Sequence, residues 1–176
     1  MGGSDYMKRY VKKLFNNLGY EIRRANNKEV FWQIDTAFNN LYEEAQMKTQ
    51  MKATDNILRR QRHYTLSYLL KNIDLKSGDI CELGCWRGLS AYQIASYIRQ
   101  KNEKVDFYVF DSFQGLSEIR QVDRYEYDKR NPDNIRKQFA CSLESVQGNL
   151  REFNFINYYK GWIIILGKNW TKICQK

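Results

Sequence analysis

The chain has 176 residues, of which 29 are lysine or arginine and 20 are aspartate or glutamate, so its formal net charge is +9. This length predicts one domain, or one domain with an appendage. No apolar run approaches the roughly 20 residues that a membrane-spanning helix needs, and residues 1–4 do not begin a signal peptide. The composition predicts a cytoplasmic protein whose basic surface attracts anionic partners.

Few residues here favour metal binding or nucleophilic chemistry. The cysteines are Cys81, Cys85, Cys141 and Cys174, none lies in a C-x-x-C pair, and the only histidine is His63. A zinc site requires more ligands at closer spacing. We therefore expect Cys81 and Cys85 to be small buried packing residues, and His63 to be a packing or surface residue rather than a base.

Residues 5–25 predict a basic amphipathic helix. Tyr10, Leu14 and Leu18 fall on one helical face, lysines such as Lys12 and Lys13 surround it, and Gly19 ends it. Such a helix commonly docks its apolar face on a neighbouring domain. The same pattern is also typical of peripheral membrane contact, and both interpretations stay open.

Two further helices are predicted over residues 28–48 and 54–73, the second capped by Thr54 or Asp55. Arg59, Arg60, Arg62 and His63 form a basic cluster that we interpret as a solvated face. We place a boundary after residue 53, which divides an N-terminal helical segment, 1–53, from the main domain, 54–176.

The stretch Gly78–Ala91 predicts a buried strand over 79–83, a glycine turn and a helix that runs from Ser90 to about Arg99. Its spacing is Glu82-x-Gly84-x-x-x-Gly88, and Trp86 stands where a dinucleotide fold needs a second glycine close to the pyrophosphate. The turn therefore favours a nucleoside ligand without pyrophosphate, such as S-adenosylmethionine. Many strand–helix turns carry two glycines, so the motif alone does not decide.

A second strand, 105–110, ends at Asp111 and completes a strand–helix–strand unit, which predicts two parallel strands with a right-handed crossover. A carboxylate at this strand end can accept hydrogen bonds from both ribose hydroxyls of a nucleoside. The alternative is that Asp111 only caps the next turn.

The remaining predictions are a polar surface loop at 117–134 that could cover a pocket, a helix at 134–152 and a third strand at 155–159. The fold class predicted is α/β, with N-terminal helices followed by an incomplete Rossmann-like sheet in which three strands are identified.

Four blocks in this order carry a family resemblance. They are Glu82–Gly88 (ELGCWRG), Asp111–Leu116 (DSFQGL), Ser142–Val146 (SLESV) and Tyr159–Trp162 (YKGW). Together, over about residues 60–162, they resemble the macrocin O-methyltransferase family of class I S-adenosylmethionine enzymes. The resemblance implies O-methylation of a sugar hydroxyl on a glycan or glycosylated small molecule, with a divalent metal such as magnesium.

The resemblance also implies which residues bind the cofactor. The turn would hold the methionine end of S-adenosylmethionine, Asp111 would bind the ribose with Ser112 beside it, and Gly161 and Trp162 would lie near the adenine. The whole predicted set is Glu82, Gly84, Cys85, Trp86, Arg87, Gly88, Ser90, Asp111, Ser112, Gly161 and Trp162. No catalytic residue is assigned.

The end of the chain departs from the family pattern. Residues 163–176 contain no acidic residue, so they cannot supply the carboxylate metal ligands of the family. We expect this tail to be truncated or out of frame, which leaves open whether the chain is active or inactive in this form, and we expect its unfinished sheet to associate, aggregate or pair with another subunit.

Two other functions stay open. The net charge and the arginine cluster favour a nucleic-acid-binding methyltransferase, although the basic residues are scattered and no stacking motif is present, which makes nucleic acid the weaker partner. Residues 5–25 favour a non-catalytic protein that acts at a membrane surface or as an interaction module.

Overall fold

The computed structural model describes residues 10–15, 17, 18, 31–118 and 131–162. The chain forms two compact units, Met1–Phe31 and Trp32–Lys176. In the first unit, residues 10–15 and 17 are helical and belong to helix α1, inside the amphipathic helix predicted at 5–25, whereas Gly19 lies outside the described residues. Within the described ranges, no helix is both long and apolar enough to cross a membrane.

The predicted domain boundary after residue 53 falls inside the second unit. Helix α3 (Thr36–Lys48) precedes that boundary and packs on helices α4 (Ile57–Asn72) and α5 (Leu89–Lys101), which follow it. The boundary stays a prediction, because a compact unit is not by itself an independently folding domain.

Local capping explains where the first helices begin. The predicted helix at 28–48 is two helices, α2 (Phe31–Ile34) and α3, because the Asp35 carboxylate accepts a 2.9 Å hydrogen bond from Phe38 N and caps α3. The cap of α4 is Asn56, whose side chain accepts from Arg59 N at 2.9 Å, rather than Thr54 or Asp55. Single-turn 3₁₀ helices at Lys52–Thr54 and Leu75–Ser77 precede α4 and the sheet.

The described strands form one parallel sheet in the order β1-β2-β3, with bounds Ile80–Leu83, Phe107–Asp111 and Ile156–Lys160. Helix α5 connects β1 to β2, as predicted for the strand–helix–strand unit. The α/β class with three parallel strands is therefore confirmed. Parallel pairing brings the carboxyl ends of all these strands to one edge, where the site lies.

One face of the sheet belongs to the main core. Phe107 and Val109 on β2 are fully buried and cluster with Ile156 on β3 and with side chains of α3 and α5. Alternation along β1 puts Cys81 on the other face, where it is exposed, so the prediction that Cys81 is a buried packing residue is wrong. Cys85 is buried, as predicted.

The predicted helix over 134–152 is wrong in its continuity. The structure has two short helices, α6 (Pro132–Gln138) and α7 (Leu143–Asn149). Ser142 separates them because its hydroxyl accepts a 3.2 Å hydrogen bond from Ser145 N and starts α7. Helix α6 begins inside the predicted loop 117–134, of which 119–130 lie outside the described residues, as does the predicted tail 163–176.

Candidate functional site

The turn after β1 is built from left-handed backbone. Gly84, Trp86 and Gly88 have φ values of 86°, 51° and 89°. Glycine adopts this conformation at little cost, but for tryptophan it costs about 1 kcal/mol or more. The turn therefore needs outside contacts that hold Trp86 in place.

Helix α7 supplies one set of these contacts from behind the turn. A Cβ on Gly88 would lie 3.1 Å from Leu150 Cδ1, so the backbone and the buried leucine are in close contact. The Asn149 side-chain amide donates a 3.0 Å hydrogen bond to the Arg87 carbonyl oxygen. Arg87 and Gly88 are thereby fixed against α7.

Asp111 supplies the other set from the neighbouring strand. Its Oδ2 accepts hydrogen bonds from Cys85 N at 2.7 Å and Trp86 N at 3.1 Å. Its Oδ1 accepts from Phe113 N at 2.8 Å. The Asp111 carbonyl oxygen accepts from Gly161 N at 2.9 Å, directly after β3. One residue thus joins the ends of all the described strands.

The loop after Asp111 docks on α6. The Ser112 hydroxyl donates a 2.8 Å hydrogen bond to the Gly115 carbonyl oxygen, which closes the loop on itself. A Cβ on Gly115 would lie only 2.2 Å from the Arg136 carbonyl oxygen, so the loop and the helix touch through backbone. Arg136 Nε donates to the Leu116 carbonyl oxygen at 3.3 Å. The DSFQGL block therefore holds one wall of the site.

These elements line a cavity of about 750 Å³ that opens to solvent at the carboxyl ends of the strands. Its lining residues are Gly84, Trp86, Asp111, Ser112, Gly115, Leu116, Ser117, Glu118, Phe139, Gly161 and Trp162. The structure thus brings together six of the residues predicted for the site, from all the described strand ends, around one space.

The other predicted residues do not line the cavity. Cys85 is buried, and Arg87 and Gly88 face α7. Glu82 and Ser90 form a pair, in which the Ser90 hydroxyl donates to Glu82 Oε1, while Glu82 Oε2 is buried without a partner in the described structure. Burial, opposed by the Ser90 hydrogen bond and reinforced by the charge of Asp111, raises the pKa of Glu82 to about 7.

Sequence reasoning missed Phe139 as a residue of the site. Phe139 lines the cavity at the end of α6, and its ring centroid lies 5.2 Å from that of Trp86. The only sequence signal was Ser142, which could have indicated that a helix ends near Phe139. Gly115 belongs to the DSFQGL block, but the sequence did not predict that its backbone contacts α6.

The basic cluster is not a fully solvated face, so that interpretation is wrong in part. Arg59 is half-buried with its guanidinium 5.7 Å from the Trp86 ring centroid, and Arg60 forms a 2.9 Å ion pair with Asp55. His63 is half-buried, with Nδ1 2.5 Å from Gln93 Oε1. Burial lowers the pKa of His63, which fits a neutral packing residue.

Comparison with known proteins assigns the chain to a family. The family model described as Macrocin-O-methyltransferase (TylF) matches residues 4–164. The chain belongs to the macrocin O-methyltransferase family. The match extends well beyond the 60–162 region of the sequence resemblance, and it includes the N-terminal residues.

A search of curated proteins finds no match. Among solved structures, one titled "Structure of the O-methyltransferase NovP" is similar, with 24% identity and a TM-score of 0.47 over 58% of this chain. The chain spans less than half of that structure, since 46% of it is covered. The activity and substrate of this chain are therefore stated below as a proposal.

Proposed function

We propose that this chain binds S-adenosylmethionine in the cavity at the carboxyl ends of β1, β2 and β3. The observation that carries the proposal is the lining of that cavity by the family blocks, which contribute Gly84, Ser112, Gly161 and Trp162. A Cβ at Gly84 would meet nothing within 4 Å, so the backbone there is open to a ligand. The volume suits a nucleoside-sized ligand.

The proposed reaction is O-methylation of a sugar hydroxyl on a glycan or glycosylated small molecule. Bound S-adenosylmethionine supplies an electrophilic methyl group on its sulfonium sulfur. The chain contributes binding and orientation, since the turn and the aromatic side chains of Trp86, Phe139 and Trp162 line the cavity in which the ligand would lie. The specific sugar and the activity of this chain are part of the proposal.

A divalent metal is implied by the family resemblance, but the described residues do not fit one. No group of three or more histidine, cysteine, aspartate or glutamate side chains is placed to hold a metal ion in the described ranges. Of the residues lining the cavity, Asp111 and Glu118 carry carboxylates. We derive no step through a metal.

Calorimetric titration with S-adenosylmethionine and S-adenosylhomocysteine tests this function. Phe139→Ala removes an aromatic wall that is 37% exposed, so it should leave the fold intact and weaken binding about tenfold. The matched control is Tyr68→Ala, on an α4 side chain that is 60% exposed and does not line the cavity. Absence of binding to the unmodified protein, or equal losses in both variants, would refute the proposal.

A second proposal concerns residues 5–25, which we infer to contact anionic membranes. On α1 and just after it, Tyr10, Leu14 and Leu18 are 67%, 51% and 63% exposed, and Lys12 and Lys13 are also exposed. Residues 1–30 hold seven basic and three acidic residues. Apolar and cationic side chains together suit an anionic lipid surface, and sedimentation with such vesicles tests the contact.

Nucleic acid is the less favoured partner. Residues 32–118 and 131–162 contain 15 basic and 14 acidic residues, so the described part of the second unit is almost neutral. Arg59 and Arg60, the strongest sequence argument for nucleic acid, are engaged with Trp86 and Asp55. A protein that binds phosphate backbones needs a basic stripe on its folded surface.

A further inference from the structure

Asp111 has little hydrogen-bonding capacity left for a ligand. A carboxylate has about four acceptor positions, two on each oxygen. Oδ2 already accepts from Cys85 N at 2.7 Å and Trp86 N at 3.1 Å, and Oδ1 accepts from Phe113 N at 2.8 Å. The Ser112 hydroxyl lies 3.5 Å from Oδ1, but its single hydrogen is better placed on the Gly115 carbonyl oxygen at 2.8 Å.

One acceptor position therefore remains, at Oδ1. A ribose diol held in bidentate fashion requires a free position on each carboxylate oxygen, and Oδ2 has none unless the turn amides are released. Released amides would be left without a partner at the half-buried turn, which is costly. The left-handed backbone of Trp86 would also lose the contact that holds it.

We propose that Asp111 is a positioning residue for the cofactor, which acts by holding the β1–α5 turn rather than by binding the ribose diol. Its carboxylate stands where a strand carbonyl would continue the ladder, one step beyond the 2.8 Å bond from Gly84 N to the Phe110 carbonyl oxygen. The turn so fixed presents the Trp86 ring and the open backbone of Gly84 to the cavity.

The ligand arm of the test rests on the proposed function. Affinities of S-adenosylhomocysteine and its 2′,3′-dideoxyribose analogue are measured for the unmodified protein and for Asp111→Ala. Because the turn acts on both ligands alike, the variant should weaken both by the same factor, to within about twofold. A loss seen with S-adenosylhomocysteine but absent with the analogue would show ribose binding and overturn the inference.

Asp106→Ala is the matched control, because Asp106 directly precedes β2 at its opposite end and carries the same charge. It should leave both affinities unchanged. If Asp111→Ala does not fold, Asp111→Asn enters the same cycle with the side-chain shape preserved. The criterion for overturning the inference is then the same.

Hydrogen exchange of the ligand-free protein separates this inference from the proposed function. The Cys85 and Trp86 amides should lose protection in Asp111→Ala and keep it in Asp106→Ala. Unchanged protection in both variants would overturn the positioning role. If the unmodified protein binds neither ligand, the proposed function fails, whereas the exchange result still decides whether Asp111 holds the turn.

Discussion

At the scale of single residues, burial changes the chemistry of Glu82 more than its place in the motif does. The side chain lies behind the cavity lining, where one oxygen accepts from the Ser90 hydroxyl and the other is buried without a partner in the described structure. An ionised carboxylate in such surroundings is disfavoured. The free energy of unfolding should therefore depend on pH through the ionisation of Glu82.

The pKa of Glu82 rises from 4.5 to about 7 on folding, so the folded state binds more protons than the unfolded state between these values. Its stabilising contribution is present below pH 4.5 and is lost as the pH rises through 7. Glu82→Gln should remove this decline and be more stable than the unmodified protein at high pH, by on the order of 3 kcal/mol.

Urea unfolding across this pH range measures the effect. Glu43→Gln is the control, because Glu43 is an exposed residue on α3 and its replacement should leave the decline in place. Parallel pH profiles for Glu82→Gln and the unmodified protein would contradict the prediction.

Sequence reasoning about single residues succeeded where the residue type itself sets the backbone conformation. It failed where the conformation depends on contacts with residues that are distant in the chain. Gly84 and Gly88 do adopt left-handed backbone, as a glycine turn requires. That Trp86 does so too could not be read from the motif, because it depends on a hydrogen bond to Asp111, 25 residues away. Because the contact between Asp111 and the turn is also distant in sequence, the sequence alone indicated only that Asp111 binds a ligand or caps the next turn.

At the scale of elements, the contact of the 112–116 loop with α6 decides the shape of the cavity. Gly115 has a φ of 95°, and a Cβ there would meet the Arg136 carbonyl oxygen at 2.2 Å. Gly115→Ala should therefore lower the free energy of unfolding by about 2–4 kcal/mol. Since Phe139 follows α6 directly, S-adenosylhomocysteine binding should weaken as well.

Gly148→Ala is the comparison for this change. Gly148 lies in α7, and a Cβ there meets nothing within 4 Å. Alanine in a helix should raise the free energy of unfolding by about 0.5–1 kcal/mol. Denaturant unfolding checks both variants, and a similar change in the two would count against the proposed docking contact.

Helices and strands of the α/β unit were predicted because their hydrophobic periodicity is local. Periodicity did not reveal the interruptions at Asp35 and at Ser142, since the apolar spacing on either side continues in phase. Capping side chains decided both breaks. The consequence is functional, because the break between α6 and α7 frees Phe139 to line the cavity.

At the scale of the whole molecule, positive charge is densest in the N-terminal segment, since residues 1–30 hold seven basic and three acidic residues whereas residues 31–176 hold 22 basic and 17 acidic residues. Lys12→Glu with Lys13→Glu should weaken binding to phosphatidylserine vesicles at least tenfold, because each lysine near an anionic surface contributes about 1 kcal/mol. Co-sedimentation measures this binding.

Lys52→Glu with Lys104→Glu makes the same charge change at exposed positions of the second unit and should bind as the unmodified protein does. Equal losses in the two double variants would indicate a general charge effect. Equal binding to vesicles of phosphatidylcholine alone would show that the basic residues are not used.

The sequence by itself determined the strand–turn–helix unit, the second strand that ends at Asp111 and the family to which these blocks belong. Those features depend on residues close together in the chain, where glycine positions and hydrophobic spacing decide. Only the tertiary structure decided that Asp111 accepts hydrogen bonds from the turn amides, that Glu82 Oε2 is buried without a partner in the described structure, and that Phe139 lines the cavity. Each of these depends on contacts between separate elements, such as the hydrogen bond between Cys85 and Asp111, which are 26 positions apart in the chain, and no local pattern records such a contact.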